Sequence, residues 1–130
     1  MKKILLKSDK VPPPAAEDSH GWIVEGGKLV VISGQVPEDV DGNIVVPGDF
    51  EKQVRQVFEN LKMMLEAAGA TFKDIVKLGV LLTEQEQWRP FCRIRSEYLE
   101  APYPATTLFV VKSLAKPEWM VEIEAMAIVD

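Results

Sequence analysis

The stretch Pro104-Ala105-Thr106-Thr107-Leu108-Phe109-Val110-Val111 limits the fold more than any other part of the chain. A turn signal at Tyr103-Pro104 leads into a β-branched and aromatic run, which reads as a strand. Side chains alternate across a strand, so Thr107, Phe109 and Val111 share one face while Thr106, Leu108 and Val110 share the other. Below the threonines both faces are apolar, so both need cover. Two threonines stand at the strand's head, where a binding strand meets a ligand, and they mark it as the lining of a site.

The other elements follow from periodicity. Met1 to Ser8 predicts a short edge strand whose lysines discourage stray pairing. Val11 to Ala16, with three consecutive prolines, predicts extended loop. Trp22-Ile23-Val24, Gly26-Gly27 and Leu29 to Ser33 predict a hairpin with a glycine turn. Asp41-Gly42-Asn43 is a turn signal, and Ile44 to Pro47 a brief extended piece. The clearest helix runs from Asp49 as N-cap to Gly69 at its end. Phe50, Val54, Val57, Leu61, Met64 and Leu65 make its apolar face. Thr71 to Asp74 predicts a single turn before a strand over Ile75 to Leu82. Thr83 is placed to cap a second helix from Glu84 to Leu99, with Pro90 tolerated only where a turn restarts. Ser113 to Glu118 is a loop, and Trp119 to Val129 a last strand.

This order predicts an α+β fold: one mixed sheet with two helices, each of roughly fifteen to twenty residues, on one face. The second face still carries Leu81, Met126, Ile128 and half of the opening strand. Left wet it would be a large apolar patch, so the pattern predicts homo-oligomerisation through that face. A length of 130 residues fits one domain. The net charge of −5 argues against a nucleic-acid surface. One cysteine excludes an internal disulfide and, with one histidine, argues against a zinc site. Ile4-Leu5-Leu6 is too short for the apolar part of a secretion signal, and no run has transmembrane length. The expectation is a cytoplasmic protein with no membrane partner.

Five segments then occur in a fixed order: Val31-Ile32-Ser33-Gly34-Gln35-Val36-Pro37, Glu66-Ala67-Ala68-Gly69-Ala70, Asp74-Ile75-Val76-Lys77, Tyr103-Pro104-Ala105 and Val121-Glu122-Ile123-Glu124-Ala125. With them the chain resembles the RidA/YjgF family, also described as endoribonuclease L-PSP, over nearly all of residues 1–130. The resemblance implies a chorismate-mutase-like α+β fold in a homotrimer, with small-molecule clefts between subunits. It implies hydrolysis of reactive enamines and imines, such as 2-aminoacrylate, to a keto compound and ammonia, with no metal or organic cofactor.

Carried over residue by residue, the resemblance is uneven. Family deaminases hold the substrate carboxylate with an arginine after the Pro-Ala pair, and here that position is Thr106. Hydrogen bonds to a charged group are worth about 1.5–3 kcal/mol and neutral ones about 0.5–1.5. Thr106 therefore predicts a grip on an α-carboxylate weaker by roughly ten- to several-hundredfold. Leu108 replaces a common cysteine, His20 aligns with a tyrosine and Cys92 with an asparagine. Ser33-Gly34, which offers backbone polar groups to the ligand, is kept. So is Glu122, aligned with the glutamate that handles the catalytic water.

Each candidate has a plainer reading. Glu122 and Glu124 share a strand face about 7 Å apart, and either could form structural ion pairs instead of acid–base chemistry. The resemblance assigns function to Glu122 and leaves Glu124 structural. His20 is a proton shuttle or a solvated loop residue. Cys92 is a nucleophile or, with nothing to lower its pKa, a small buried helix residue. Trp22, Trp88 and Trp119 stack a ligand or fill core and interface. Arg93 and Arg95 are solvated or ion-paired, unless one reaches the cleft in place of the missing arginine. Two functions result. One is a hydrolase or deaminase of an enamine, imine or related reactive metabolite lacking the amino-acid-type carboxylate, in which Glu122 acts on water while Ser33, Gly34, Thr106, Thr107, His20, Trp22 and Cys92 contact the substrate. The other is a non-catalytic trimer that binds small ligands or partner proteins. A ribonuclease reading is weakest, because the chain is acidic and has no basic groove.

Overall fold

The longest helix, α1 (Phe50–Ala67), begins where the Asp49 carboxylate accepts the Lys52 backbone N–H at 3.0 Å. It ends before Gly69, whose φ of +70° is the left-handed conformation that glycine adopts without strain. Both ends lie where the sequence places them in this computed structural model, which describes Met1–Asp130. Val54, Val57, Phe58, Leu61 and Leu65 form the buried face. Met64, expected there, is exposed, and Phe58 holds the centre instead. The Phe58 ring stacks on Tyr98 with centroids 4.5 Å apart, so an aromatic on the middle turn bridges to the turn that follows the second helix.

Six strands surround it: β1 (Lys2–Leu6), β2 (Gly21–Glu25), β3 (Lys28–Gln35), β4 (Ile75–Leu82), β5 (Ala105–Val110) and β6 (Val121–Val129). The main sheet has the order β3-β6-β4-β5, with β4 and β5 parallel and the other pairs antiparallel. This is the expected mixed sheet, with both helices on one face. The expected β2–β3 hairpin is not formed. Gly26 and Gly27 do reverse the chain with φ of 71° and 80°, but β2 pairs with β1 in a separate two-stranded sheet while β3 pairs with β6. Turn residues specify a reversal locally, and which edges then pair is settled by tertiary packing. Val30 and Ile32 must face α1, and the ladder to β6 puts them there.

The second helical segment is shorter than expected. A 3₁₀ turn, Gln85–Gln87, precedes α2 (Trp88–Arg95) of only 8 residues. Thr83 does not cap it; Glu84 and Gln87 form the capping box instead. Pro90 falls in the first turn of α2, where its missing N–H has no helical partner to lose. The 3₁₀ turn Phe72–Asp74 has its own capping box between Thr71 and Asp74. β6 starts at Val121 rather than Trp119, because the Met120 N–H is taken by the Gln53 side chain at 2.9 Å.

Strand parity sorts the sheet into two faces. Leu78, Val80, Leu82, Val121, Ile123, Ala125 and Ala127 join the α1 face in the core. The opposite face leaves Leu29 at 60%, Val31 at 66%, Phe109 at 56% and Met126 at 43% exposure. Ile128, also expected on that face, is buried instead. Gly27 and Met1 close over it: a Cβ on Gly27 would stand 2.8 Å from Ile128 Cγ2 and 2.9 Å from Met1 Cβ.

Candidate functional site

β6 places Glu122 and Glu124 on the open face of the sheet, opposite Leu81 and Gly79 of β4. On the other side β3 carries a bulge. Ile32 pairs with Ala125 and Gln35 with Ile123, so Ser33 and Gly34 together oppose Glu124 and stand outside the ladder. Glu122 folds across that bulge. A Cβ on Gly34 would run into its carboxylate, and would lie 2.8 Å from Cδ and 2.9 Å from Cγ. Gly79 lies in the same way beneath Glu124, 2.6 Å from Oε1 to such a Cβ. Burial raises the Glu122 pKa above the ordinary carboxylate value, and the charge of Glu124 raises it further. A carboxyl group so perturbed, over an irregular stretch of backbone, can hold water and exchange a proton with it.

The two threonines at the head of β5 part company. Thr107 pairs with Gly79 and shares the Glu122 face, where it accepts a hydrogen bond from Lys77 Nζ at 2.8 Å. Thr106 pairs with the core residue Leu78 and so points to the helix side. Its N–H is bound by Asp18 Oδ1 at 2.8 Å, and its Oγ1 donates to the Pro104 carbonyl at 3.3 Å. Around it opens a groove of about 340 Å³ lined by Asp18, Trp88, Arg95, Thr106, Leu108 and others. Glu122 and Thr106 therefore lie on opposite faces of one sheet and share no cavity within a chain.

The remaining candidates scatter between these centres. His20 is exposed and lines a second groove with Leu5, Leu6, Pro12 and Ser19, joined to the first through Asp18. Trp22 donates its indole N–H to the Tyr103 carbonyl at 3.1 Å, with Lys3 Nζ 5.7 Å from its ring centre. Cys92 is half-buried on α2, its sulfur 3.8 Å from Arg95 Nη2. Trp119 donates to Glu38 at 3.1 Å, away from both centres. Arg93 stays on the outer side of α2, in a groove with Glu97. Asp18 and Arg95 are the residues that sequence reasoning undervalued. Arg95 had a signal: its spacing from Phe91 and Ile94 puts it on their buried face. Asp18 had none, because its role depends on a strand 88 residues away.

No group of three or more His, Cys, Asp or Glu side chains is placed to hold a metal ion. No helix is long and apolar enough to cross a membrane.

A mixed sheet backed by two helices, with a glutamate laid across a Ser-Gly bulge, defines a class of protein that has known relatives. The family model for endoribonuclease L-PSP matches residues 10–129. The chain belongs to this family, that of the RidA/YjgF proteins. It is 33% identical over 127 residues to a RutC family protein of Pyrococcus horikoshii, covering 98% of each chain. It is 28% identical over 128 residues to the 2-iminobutanoate/2-iminopropanoate deaminase of Dermatophagoides farinae, again covering 98% of each. Among solved structures, the conserved Rid family protein YyfB of Yersinia pestis superimposes with a TM-score of 0.89 at 31% identity, over 99% of this chain and 100% of that one. RidA from the Antarctic bacterium Psychrobacter superimposes with a TM-score of 0.74 at 33% identity, over 97% and 99%.

Proposed function

We propose that this protein is a cofactor-free hydrolase of an enamine or imine, working as a cytoplasmic homotrimer. The observation that carries the reading is the Glu122 carboxylate over Gly34, with its pKa raised by burial and by Glu124. As general base, Glu122 takes a proton from water as the water oxygen adds to the imine carbon. The nitrogen is protonated, and the carbinolamine collapses to a carbonyl and ammonia, with the second hydroxyl proton leaving to solvent or to the amine. One water is consumed and one ammonia released, with no change of oxidation state. Ser33 and Gly34 hold the substrate through backbone groups freed by the bulge.

Because Glu122 and Thr106 face opposite ways, a complete cleft takes the Glu122 face of one subunit and the Thr106 groove of its neighbour. The exposed Leu29, Val31, Phe109 and Met126 support that assembly, since an apolar face of this extent is covered in a stable protein. Thr106 in the position of the clamping arginine alters specificity away from 2-aminoacrylate.

The test is ammonia release from 2-aminoacrylate and 2-iminobutanoate generated in place, and from carboxylate-free imines, measured above spontaneous hydrolysis. Hydrolysis of at least one imine that Glu122→Gln abolishes is expected. Rates unchanged in Glu122→Gln would remove that residue's role, and rates on 2-aminoacrylate equal to those of arginine-bearing relatives would refute the altered specificity. Binding without hydrolysis of any imine would leave the non-catalytic trimer as the function.

A further inference from the structure

Arg95 ends α2 and is 3% exposed. Its Nε is the one buried side-chain nitrogen or oxygen without a hydrogen-bond partner. Nη2 reaches the Cys92 sulfur at 3.8 Å, and the guanidinium lies 5.9 Å from the centre of the Phe91 ring. Within one chain the salt bridges are made by Met1, Arg55, Lys73 and Lys116, and none by Arg95. A buried charge with no ion pair in contact is disfavoured, and a sulfur atom and a ring face offset only part of that. A fold retains such a group where the anion comes from outside the chain.

The surroundings say which anion. Arg95 lines the groove of Thr106, and the Thr106 hydroxyl donates to the Pro104 carbonyl at 3.3 Å. A residue as small as threonine leaves the groove open to a guanidinium arriving from α2. Asp18 stands in the same groove with Oδ1 committed to the N–H groups of Ser19 and Thr106, both at 2.8 Å. Its other oxygen remains for a donor. One cation and one carboxylate in about 340 Å³ match a small ligand that carries a carboxylate beside an N–H, and they disfavour a dianion.

We propose that Arg95 is the anion-binding residue of this groove: α2 provides the guanidinium that β5 lacks, and the ligand is a small monocarboxylate of the α-imino or α-keto acid class. Only the identity of the reacting group rests on the imine-hydrolase reading. The altered specificity then lies in the direction from which the carboxylate is held, not in its loss.

The probes are 2-oxobutanoate, the keto acid that hydrolysis of 2-iminobutanoate leaves, and its neutral amide, titrated calorimetrically into the intact oligomer. The acid is expected to bind at least tenfold more tightly than the amide. Arg95→Gln should weaken the acid by about ten- to a hundredfold and leave the amide unchanged, as loss of one charged hydrogen-bonding partner requires. Arg95→Lys should recover part of the loss. Should the glutamine variant not fold, two wild-type measurements decide: the acid-to-amide ratio, and the Arg95 Nε–H resonance, which the acid should shift and the amide should not. No binding of the acid, equal binding of acid and amide, or acid binding that survives Arg95→Gln would overturn the assignment. Glu122→Gln separates the two readings. Arg95-dependent binding without any hydrolysis sinks the enzyme alone, and hydrolysis of carboxylate imines indifferent to Arg95 sinks this site alone.

Discussion

At Gly34 the backbone has no positive φ, so its conformation admits any residue, yet the Glu122 side chain leaves no room for one. Gly34→Ala would force Glu122 into another rotamer, at a cost of about 0.5–1.5 kcal/mol. Thermal melts should therefore show a small loss of stability, while imine hydrolysis falls at least about tenfold, since a misplaced base loses the 10²–10⁴ of proton-transfer catalysis in part. A variant of wild-type activity would show that the Glu122 position is incidental. The raised pKa of Glu122 makes a second, signed prediction. A base acts only when ionised, so kcat/KM should fall as pH drops through its pKa, with a midpoint above the usual Glu value of about 4.3. Glu124 contributes to the shift, so Glu124→Gln should move that midpoint down. A midpoint that stays put, or a rate that rises on acidification, contradicts the role as base.

The elements hold these residues through a few polar contacts between secondary structures. Gln53 on α1 is fully buried; it donates to the Glu118 carbonyl at 3.1 Å and accepts from the Met120 N–H at 2.9 Å. Together these bonds fix the point where the chain enters β6, two residues before Glu122. Gln53→Leu keeps the volume but leaves two part-buried backbone groups without their partner, so urea titration should show a loss of about 1–3 kcal/mol. A loss under about 1 kcal/mol would mean that water replaces the amide. Such contacts explain what was legible in the sequence. α1 and β4 were readable because caps and periodicity are local: Asp49, Gly69 and the alternation of Leu78, Val80 and Leu82. The pairing of β2 with β1, the early end of α2 and the late start of β6 were not, because each depends on partners remote in sequence. The same division holds for the site. The carboxylates of Glu122 and Glu124, the opposed threonines and the buried side of α2 follow from periodicity, whereas the missing partner of Arg95 and the Asp18 bond to β5 exist only in three dimensions.

For the whole molecule, the sheet has one face against helices and one face whose apolar side chains lie open, and the two halves of the proposed site fall on different faces. A chain alone can bring Glu122 to one side and the Thr106 groove to the other, but not to one ligand. Association through the open face would remove the exposed Val31 and Phe109 from water, and it would also bring the face bearing Glu122 against a neighbour. Light scattering should give the mass of three chains, and Val31→Glu should reduce it to one while abolishing hydrolysis, because a charge in the centre of an apolar interface has no partner there. Subunit mixing gives a sharper measurement. Glu122→Gln disables one half of the cleft, and Thr106→Trp fills the other. If each cleft draws on two subunits, equal parts of the two inactive variants, unfolded and refolded together, should assemble trimers in which about a quarter of the clefts receive both native halves. Activity should return to about that fraction of wild type. If both halves served one ligand within a single chain, no mixture could restore a native site, and the refolded mixture would stay as inactive as its parents.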